Sequence, residues 1–179
     1  MPKILIVIAR LNKGGTAQYI GQLAKALSKH KYQVLVATGY VQGHEIEDEI
    51  AKEIPIARIN NLGRRVSPLK DLKARTEIQK LIDFYNPDII YTHTFKAGAL
   101  TRTIKTKTPI IHAYHGHLLD EPELSGFKIK IAMAIERKLA AKAKFLVTVG
   151  KQVSKELIEA GVGKPNQYIS IAPGVAPLN

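Results

Sequence analysis

Short apolar runs rich in β-branched residues alternate along this chain with longer stretches of helical period, and that alternation leaves few folds open. Residues 4–9, 33–38, 56–59, 88–93, 109–113, 144–149 and 168–171 have the length and composition of strands. Between them Ile20, Leu23, Ala24 and Leu27 recur at helical spacing, as do Leu69, Leu72, Ile78, Leu81, Ile82 and Tyr85. Strands separated by helices are the mark of βαβ units, in which helices cover a parallel sheet. The expected fold is therefore α/β, a Rossmann-like three-layer sandwich with a mostly parallel sheet. Ser67-Pro68 supplies an N-cap and a preorganised first helical residue, and Asn86-Pro87 stops the same helix before the next strand. A short helix is expected over residues 45–52, and a longer one over 125–142 with Ile131, Ala134, Ile135 and Leu139 turned inward.

At 179 residues the chain holds one domain with a sizeable core. No stretch approaches the ~18 uninterrupted apolar residues that span a bilayer, and Met1-Pro2-Lys3 leads directly into a strand without the features of a secretory signal. A cytoplasmic location follows as an expectation. The absence of cysteine excludes disulfides, thiolate metal sites and cysteine nucleophiles. With 27 Lys and Arg against 15 Asp and Glu, the net charge is 27 − 15 = +12, which points to an anionic partner. Nucleic acid, an anionic membrane and phosphorylated substrates all satisfy that charge. An aromatic content of 6% disfavours a base-stacking platform, so nucleic-acid binding rests on charge alone.

Open parallel sheets bind ligands beyond the carboxyl ends of their strands, and four segments there carry chemistry. Gly14, Gly15 and Thr16 follow the first strand. They form either a tight strand-to-helix turn or a place where backbone N–H groups at a helix N-terminus meet diphosphate. His93, Thr94 and Lys96 interrupt the end of an apolar strand, where they either meet a sugar hydroxyl or phosphate, or are a satisfied core histidine and a solvated lysine. His112, His115 and His117 form the densest histidine cluster. Without a companion cysteine or an obvious third ligand, hydrogen bonding to substrate is preferred there to metal binding. Arg64, Arg65, Lys70 and Lys73 mark a basic helix face, either simply solvated or docked on anionic lipid.

In order and spacing these segments resemble the N-terminal domain of GT4-type, GT-B glycosyltransferases. Gly14-Gly15 followed by QLAKAL is similar to that family's first loop and helix. The run from VSPLKDLKAR to NPDIIYTHTFKAG, then TPIIHAYHGHLL, AIERKLAAKAKFLVTVG and VSKELIEAGVG, follow in the family's order along essentially the whole chain. Local departures fall at Val149-Gly150-Lys151 and Pro173-Gly174-Val175-Ala176, where the family carries other polar residues. The resemblance implies one half of a GT-B fold, with residues 1–172 as the acceptor-side domain and 173–179 as the start of an interdomain hinge. It implies retaining transfer from a nucleotide diphosphate sugar, the co-substrate, to an acceptor in the interdomain cleft, with no essential metal and no other cofactor.

In that reading His115 is catalytic, Gly14, Gly15 and Thr16 approach the donor diphosphate, and His93, Thr94, Lys96, His117 and Glu136 line or support the acceptor side. The acceptor is expected to be lipid-linked, with Arg64, Arg65, Lys70 and Lys73 facing the membrane and the protein peripheral at its inner face. The C-terminal donor domain is expected in cis or in trans. The alternatives are a non-catalytic binding or scaffolding module of the same fold and, more remotely, a sugar-nucleotide epimerase. A response-regulator-like domain is disfavoured because Arg10, Leu11 and Asn12 follow the first strand in place of an acidic pair.

Overall fold

The computed structural model, described over residues 1–116 and 127–173, contains all seven expected strands in one parallel sheet. In chain order the elements are β1 (Lys3–Ile8), α1 (Gly15–Lys29), β2 (Gln33–Thr38), β3 (Ile56–Arg58), α2 (Pro68–Tyr85), β4 (Ile89–His93), α3 (Phe95–Arg102), β5 (Ile110–Tyr114), α4 (Phe127–Ala140), β6 (Phe145–Thr148), α5 (Lys151–Glu159) and β7 (Tyr168–Ser170). The strand order β3-β2-β1-β4-β5-β6-β7 grows first to one side of β1 and then to the other. β1 therefore pairs with both β2 and β4, and the crevice of such a sheet opens at the carboxyl ends of β1 and β4. The register sets Val7 beside Thr92, and His93 beside Ala113 on β5.

Being central, β1 is apolar on both faces, with Leu5, Val7 and Ala9 on one and Ile4, Ile6 and Ile8 on the other. The first set packs with Ala74, Ile78 and Ile82 of α2 and Ala97 of α3. The second packs with Ala17, Ile20 and Ala24 of α1 and with Ile50. A third cluster joins Tyr114 and Leu146 to Ala132, Met133 and Ala140 of α4 and Leu157 of α5.

Three local expectations change. Of residues 45–52 only Glu49–Lys52 is helical, as a 3-10 turn. The part before it is extended, because its backbone is bonded to the loop after β1 through Lys13 N to Ile46 O at 2.8 Å and Asp48 N to Leu11 O at 2.9 Å. At the start of α2, Pro68 does occupy the first turn and Asn86 ends the helix in the left-handed conformation (φ 49°), but the Ser67 hydroxyl makes no cap. Asp71 instead reaches back, its carboxylate accepting from the N–H of Ser67 itself at 3.0 Å. Leu69 and Leu72 of this helix point outward, 78% and 61% exposed.

The third change is the facing of α4. Leu139 is buried as expected, but Ile131 and Ile135 are 45% and 38% exposed and Ala134 is exposed, while Ala132, Met133, Glu136 and Ala140 turn inward. The cause is Glu136, which is fully buried and accepts two bonds from Arg102 of α3, at 2.8 and 2.6 Å, and one from the Tyr114 hydroxyl at 2.7 Å. Arg102 is equally buried, and its Nε donates to Gly98 O at 3.0 Å, so every member of the cluster is bonded. Burial works against the charge on Arg102, but the adjacent Glu136 carboxylate outweighs it and raises the guanidinium pKa.

Removing one partner of a buried pair leaves the other charged and unpaired, at a cost of about 3–5 kcal/mol. Arg102→Ala or Glu136→Ala should each lower the urea-unfolding free energy by about that amount. The double change Arg102→Met with Glu136→Leu, measured in the same way, should cost less than either single change.

Candidate functional site

The loop after β1 is shaped by its glycines. Gly14 has φ +153°, a region that side chains rarely adopt, although a Cβ there would meet nothing nearer than Asn12 O at 3.9 Å. Backbone conformation, rather than space, is what requires glycine at this position. Gly15 opens α1 with nothing within 4 Å of where a Cβ would stand, so the first-turn N–H groups of the helix are approachable. The loop is held from behind by buried Asp48, whose carboxylate accepts from Gly14 N at 3.4 Å, Gln18 Nε2 at 2.7 Å and Ile50 N at 3.1 Å.

At the end of β4, Thr94 adopts φ 64° and ψ 150°. That conformation belongs almost wholly to glycine and costs about 1–3 kcal/mol in other residues. The Thr94 hydroxyl accepts from Ala9 N at 3.4 Å, tying the ends of β4 and β1 together. Lys96 lies 2.6 Å from Asp71 Oδ1 and also donates to Arg65 O, with its side chain only 11% exposed. Its charge is therefore matched by a carboxylate, and it locks α3 to the segment preceding α2.

Gly14, Gly15, Thr16, Thr94 and Lys96 line a cavity of about 320 Å³. It shares Asn12, Arg64, Val66 and Lys96 with a cleft of about 940 Å³ lined also by His44, Arg65 and Lys70. Inside that cleft Glu45 accepts from Arg10 at 2.6 Å and from Arg64 at 3.3 Å. Burial opposes ionisation of Glu45, but the Gln42 amide and the Arg10 guanidinium prevail and hold its carboxyl below the usual range. Lys73 is exposed on α2 and lines neither space.

His93 and His115 meet at the ends of β4 and β5 and line neither space. His93 is completely buried, and its Nδ1 lies 2.9 Å from Nε2 of half-buried His115. Tyr19 of α1 packs edge-on against both rings, with centroids at 6.1 Å from His93 and 5.2 Å from His115, and Tyr91 lies 4.3 Å from His93. Burial lowers the His115 pKa to about 4. Burial, with the neighbouring His115, drives that of His93 well below the ordinary value, so both rings are neutral near pH 7.

His112 faces the other side of the sheet, where its Nδ1 bonds the Thr92 hydroxyl at 2.8 Å. Any side chain at Gly98 would collide with it, a Cβ standing 2.3 Å from His112 Cε1. Glu136 belongs to this supporting layer through Tyr114, the residue before His115, and does not open on the cleft. His117 and the expected hinge residues 174–179 lie outside the described residues. Sequence reasoning missed Asp48, Tyr19 and Tyr91. Among the described residues no group of three or more His, Asp or Glu is placed to hold a metal ion, and no helix is long and apolar enough to cross a membrane.

The family profile described as Glycosyl transferase 4-like domain matches residues 14–174. A search of curated proteins gives no match. Among solved structures the chain is similar to Alr3699/HepE of Anabaena in complex with UDP and glucose, with TM-score 0.71 and 18% identity over 98% of this chain and 45% of that one. It is similar to sucrose-phosphate synthase of Thermosynechococcus elongatus, with TM-score 0.72 and 15% identity over 96% and 48%. It is also similar to a Listeria monocytogenes protein assigned as a UDP-N-acetylglucosamine 2-epimerase, with TM-score 0.67 and 18% identity over 93% and 44%. The chain thus spans less than half the length of these structures, and at such identities the likeness is one of fold.

The buried neutral histidines make stability depend on pH. Their folded pKa values lie below the unfolded value near 6.5, so the unfolded chain takes up protons that the native one refuses. Stability should be full above about pH 6.5 and fall as the pH is lowered towards 4. Urea midpoints measured between pH 7.5 and 4.5 should show that fall, with a shallower slope in His115→Gln; a flat profile would contradict the burial of these rings.

Proposed function

Because the chain belongs to the Glycosyl transferase 4-like family, we propose that it is the acceptor-side half of a retaining glycosyltransferase that moves a sugar from a nucleotide diphosphate sugar to an acceptor. The observation that carries this reading is the convergence of the Gly14–Gly15 loop, strained Thr94 and the His93–His115 pair at the carboxyl ends of β1, β4 and β5. Alr3699/HepE, which shares the fold, was solved with UDP and glucose. Gly14, Gly15 and Thr16 are the donor-diphosphate side of the site. As the glycosidic bond breaks, negative charge grows on the departing diphosphate, and N–H groups fixed at the start of α1 stabilise it without having to reorganise. His115 is the catalytic residue, hydrogen-bonding the transferred sugar. His93, Thr94 and Lys96 support the acceptor side, Lys96 as a strut paired with Asp71. A C-terminal domain, in cis or in trans, completes the donor site.

The acceptor in this reading is lipid-linked and is met at the cytoplasmic membrane face. Val66 and Leu69 are 77% and 78% exposed and Leu72 61%, interleaved in sequence with Arg64, Arg65, Lys70 and Lys73, of which Arg64, Arg65 and Lys70 line the large cleft. Exposed apolar side chains among cations suit an anionic bilayer, each cation near the surface adding about 1 kcal/mol. Sedimentation with phosphatidylglycerol vesicles should capture the chain and phosphatidylcholine vesicles should not. Arg65→Glu with Lys70→Glu should weaken capture roughly tenfold or more. Equal capture by both vesicle types would remove the membrane from the account.

Transfer is tested with a panel of nucleotide sugars and lipid-linked acceptors, comparing this chain alone with the chain joined to a compatible C-terminal domain. Activity should appear in the joined protein and drop by at least about a hundredfold in folded His115→Ala, within the range for loss of a positioned catalytic group. No transfer alongside a working control, with sugar or lipid still bound, would favour a binding or scaffolding module.

A further inference from the structure

We propose that His93 is a positioning residue that fixes the tautomer of His115, holding the His115 proton on Nδ1 so that the ring meets its ligand as a hydrogen-bond donor. The inference rests on the assignment of His115 to the sugar site for its functional meaning, but not for its geometry. A neutral imidazole has one N–H and one bare nitrogen. The contact between His93 Nδ1 and His115 Nε2, at 2.9 Å, therefore allows two arrangements, set by which ring donates.

The other nitrogen of His93 decides between them. His93 Nε2 is buried and has no hydrogen-bond partner among the described residues. If His93 carried its proton on Nε2, that N–H would be stranded in the core with no acceptor among the described residues, and orphaned buried N–H groups are rare and costly. With the proton on Nδ1, the N–H is used by His115 and only a lone pair is left without a partner. His115 Nε2 is then the acceptor, which puts the His115 proton on Nδ1. No described residue bonds that nitrogen, and His115 is only half-buried. Tyr19, edge-on to both rings, and Tyr91, against His93, keep the pair from rotating apart.

His115 Nδ1–H donates to an oxygen, such as a sugar hydroxyl, whereas its one basic nitrogen is occupied by His93. His115 so held is a donor to substrate and not a general base.

Long-range ¹H–¹⁵N correlation on the labelled chain at pH 7.5 reads both tautomers directly, the six histidines being assigned with His→Gln variants. The expected result is a protonated Nδ1 and a bare Nε2 for both His93 and His115. A His115 proton on Nε2 would overturn the inference, and this wild-type spectrum decides even where variants fold poorly. In His93→Leu the Nδ1–H form of His115 should be lost in favour of the Nε2–H form that free histidine prefers, and in His93→Asn, whose amide replaces the donor, it should return. Persistence of the Nδ1–H form in His93→Leu would show that His93 does not set it. None of these readouts requires turnover, so an inactive joined enzyme would count against the proposed function while leaving this inference standing.

Discussion

Arg102 and Glu136 form an ion pair with no access to solvent, and much of the molecule's second half is arranged around it. The pair fastens α3 to α4, and through the Tyr114 hydroxyl it reaches the last residue of β5. Such a pair adds less to stability than its attraction suggests, because both charges have lost their water. Its effect here is on geometry. A buried carboxylate accepts only one facing of α4, and the bare Cα of Gly98 lets α3 lie close over His112. Tyr114, fixed in this layer, determines where the chain leaves β5 and hence where His115 stands.

Above that layer the site is built by linking strand ends. Thr94 joins β4 to β1 through Ala9, at the expense of a strained backbone, and His93 joins β4 to β5 through His115. Asp48 and Lys96 secure the flanks, one bonding the Gly14 loop and the other bridging to Asp71 and Arg65. Each link crosses between segments distant in sequence, so the cavity is held open by the fold rather than by any single loop. Preorganisation of this kind is what electrostatic catalysis needs, because donors already in place do not have to reorient as charge develops.

The strands were legible because parallel strands covered on both faces are continuous β-branched runs, as in Ile4 to Ile8. Gly14, Gly15, Thr94, His93 and His115 stood out as polar or flexible residues at strand ends, each with a structural reading beside the functional one. Helix facing was less so. Ile131 and Ile135 suit a core as well as Met133 does, and a glutamate reads as surface until its arginine, 34 residues earlier, is brought to it. Leu69 and Leu72 likewise have helical spacing whether they face a core or solvent. Tyr19 and Tyr91 read as ordinary apolar positions, since nothing local reveals that their rings enclose two histidines. Asp48 gave no stronger signal than a cap to a short turn.

In the function proposed, the joined ends of β1, β4 and β5 receive the nucleotide sugar. Amide shift mapping tests it most directly, with the labelled chain, a compatible C-terminal domain and a nucleotide sugar in one sample. The expected result is a set of changes concentrated at Gly14, Gly15, Thr16, Thr94 and His115. Changes confined to the basic rim around Arg65 and Lys70, or to the distant surface around Lys151 and Ser154, would contradict it.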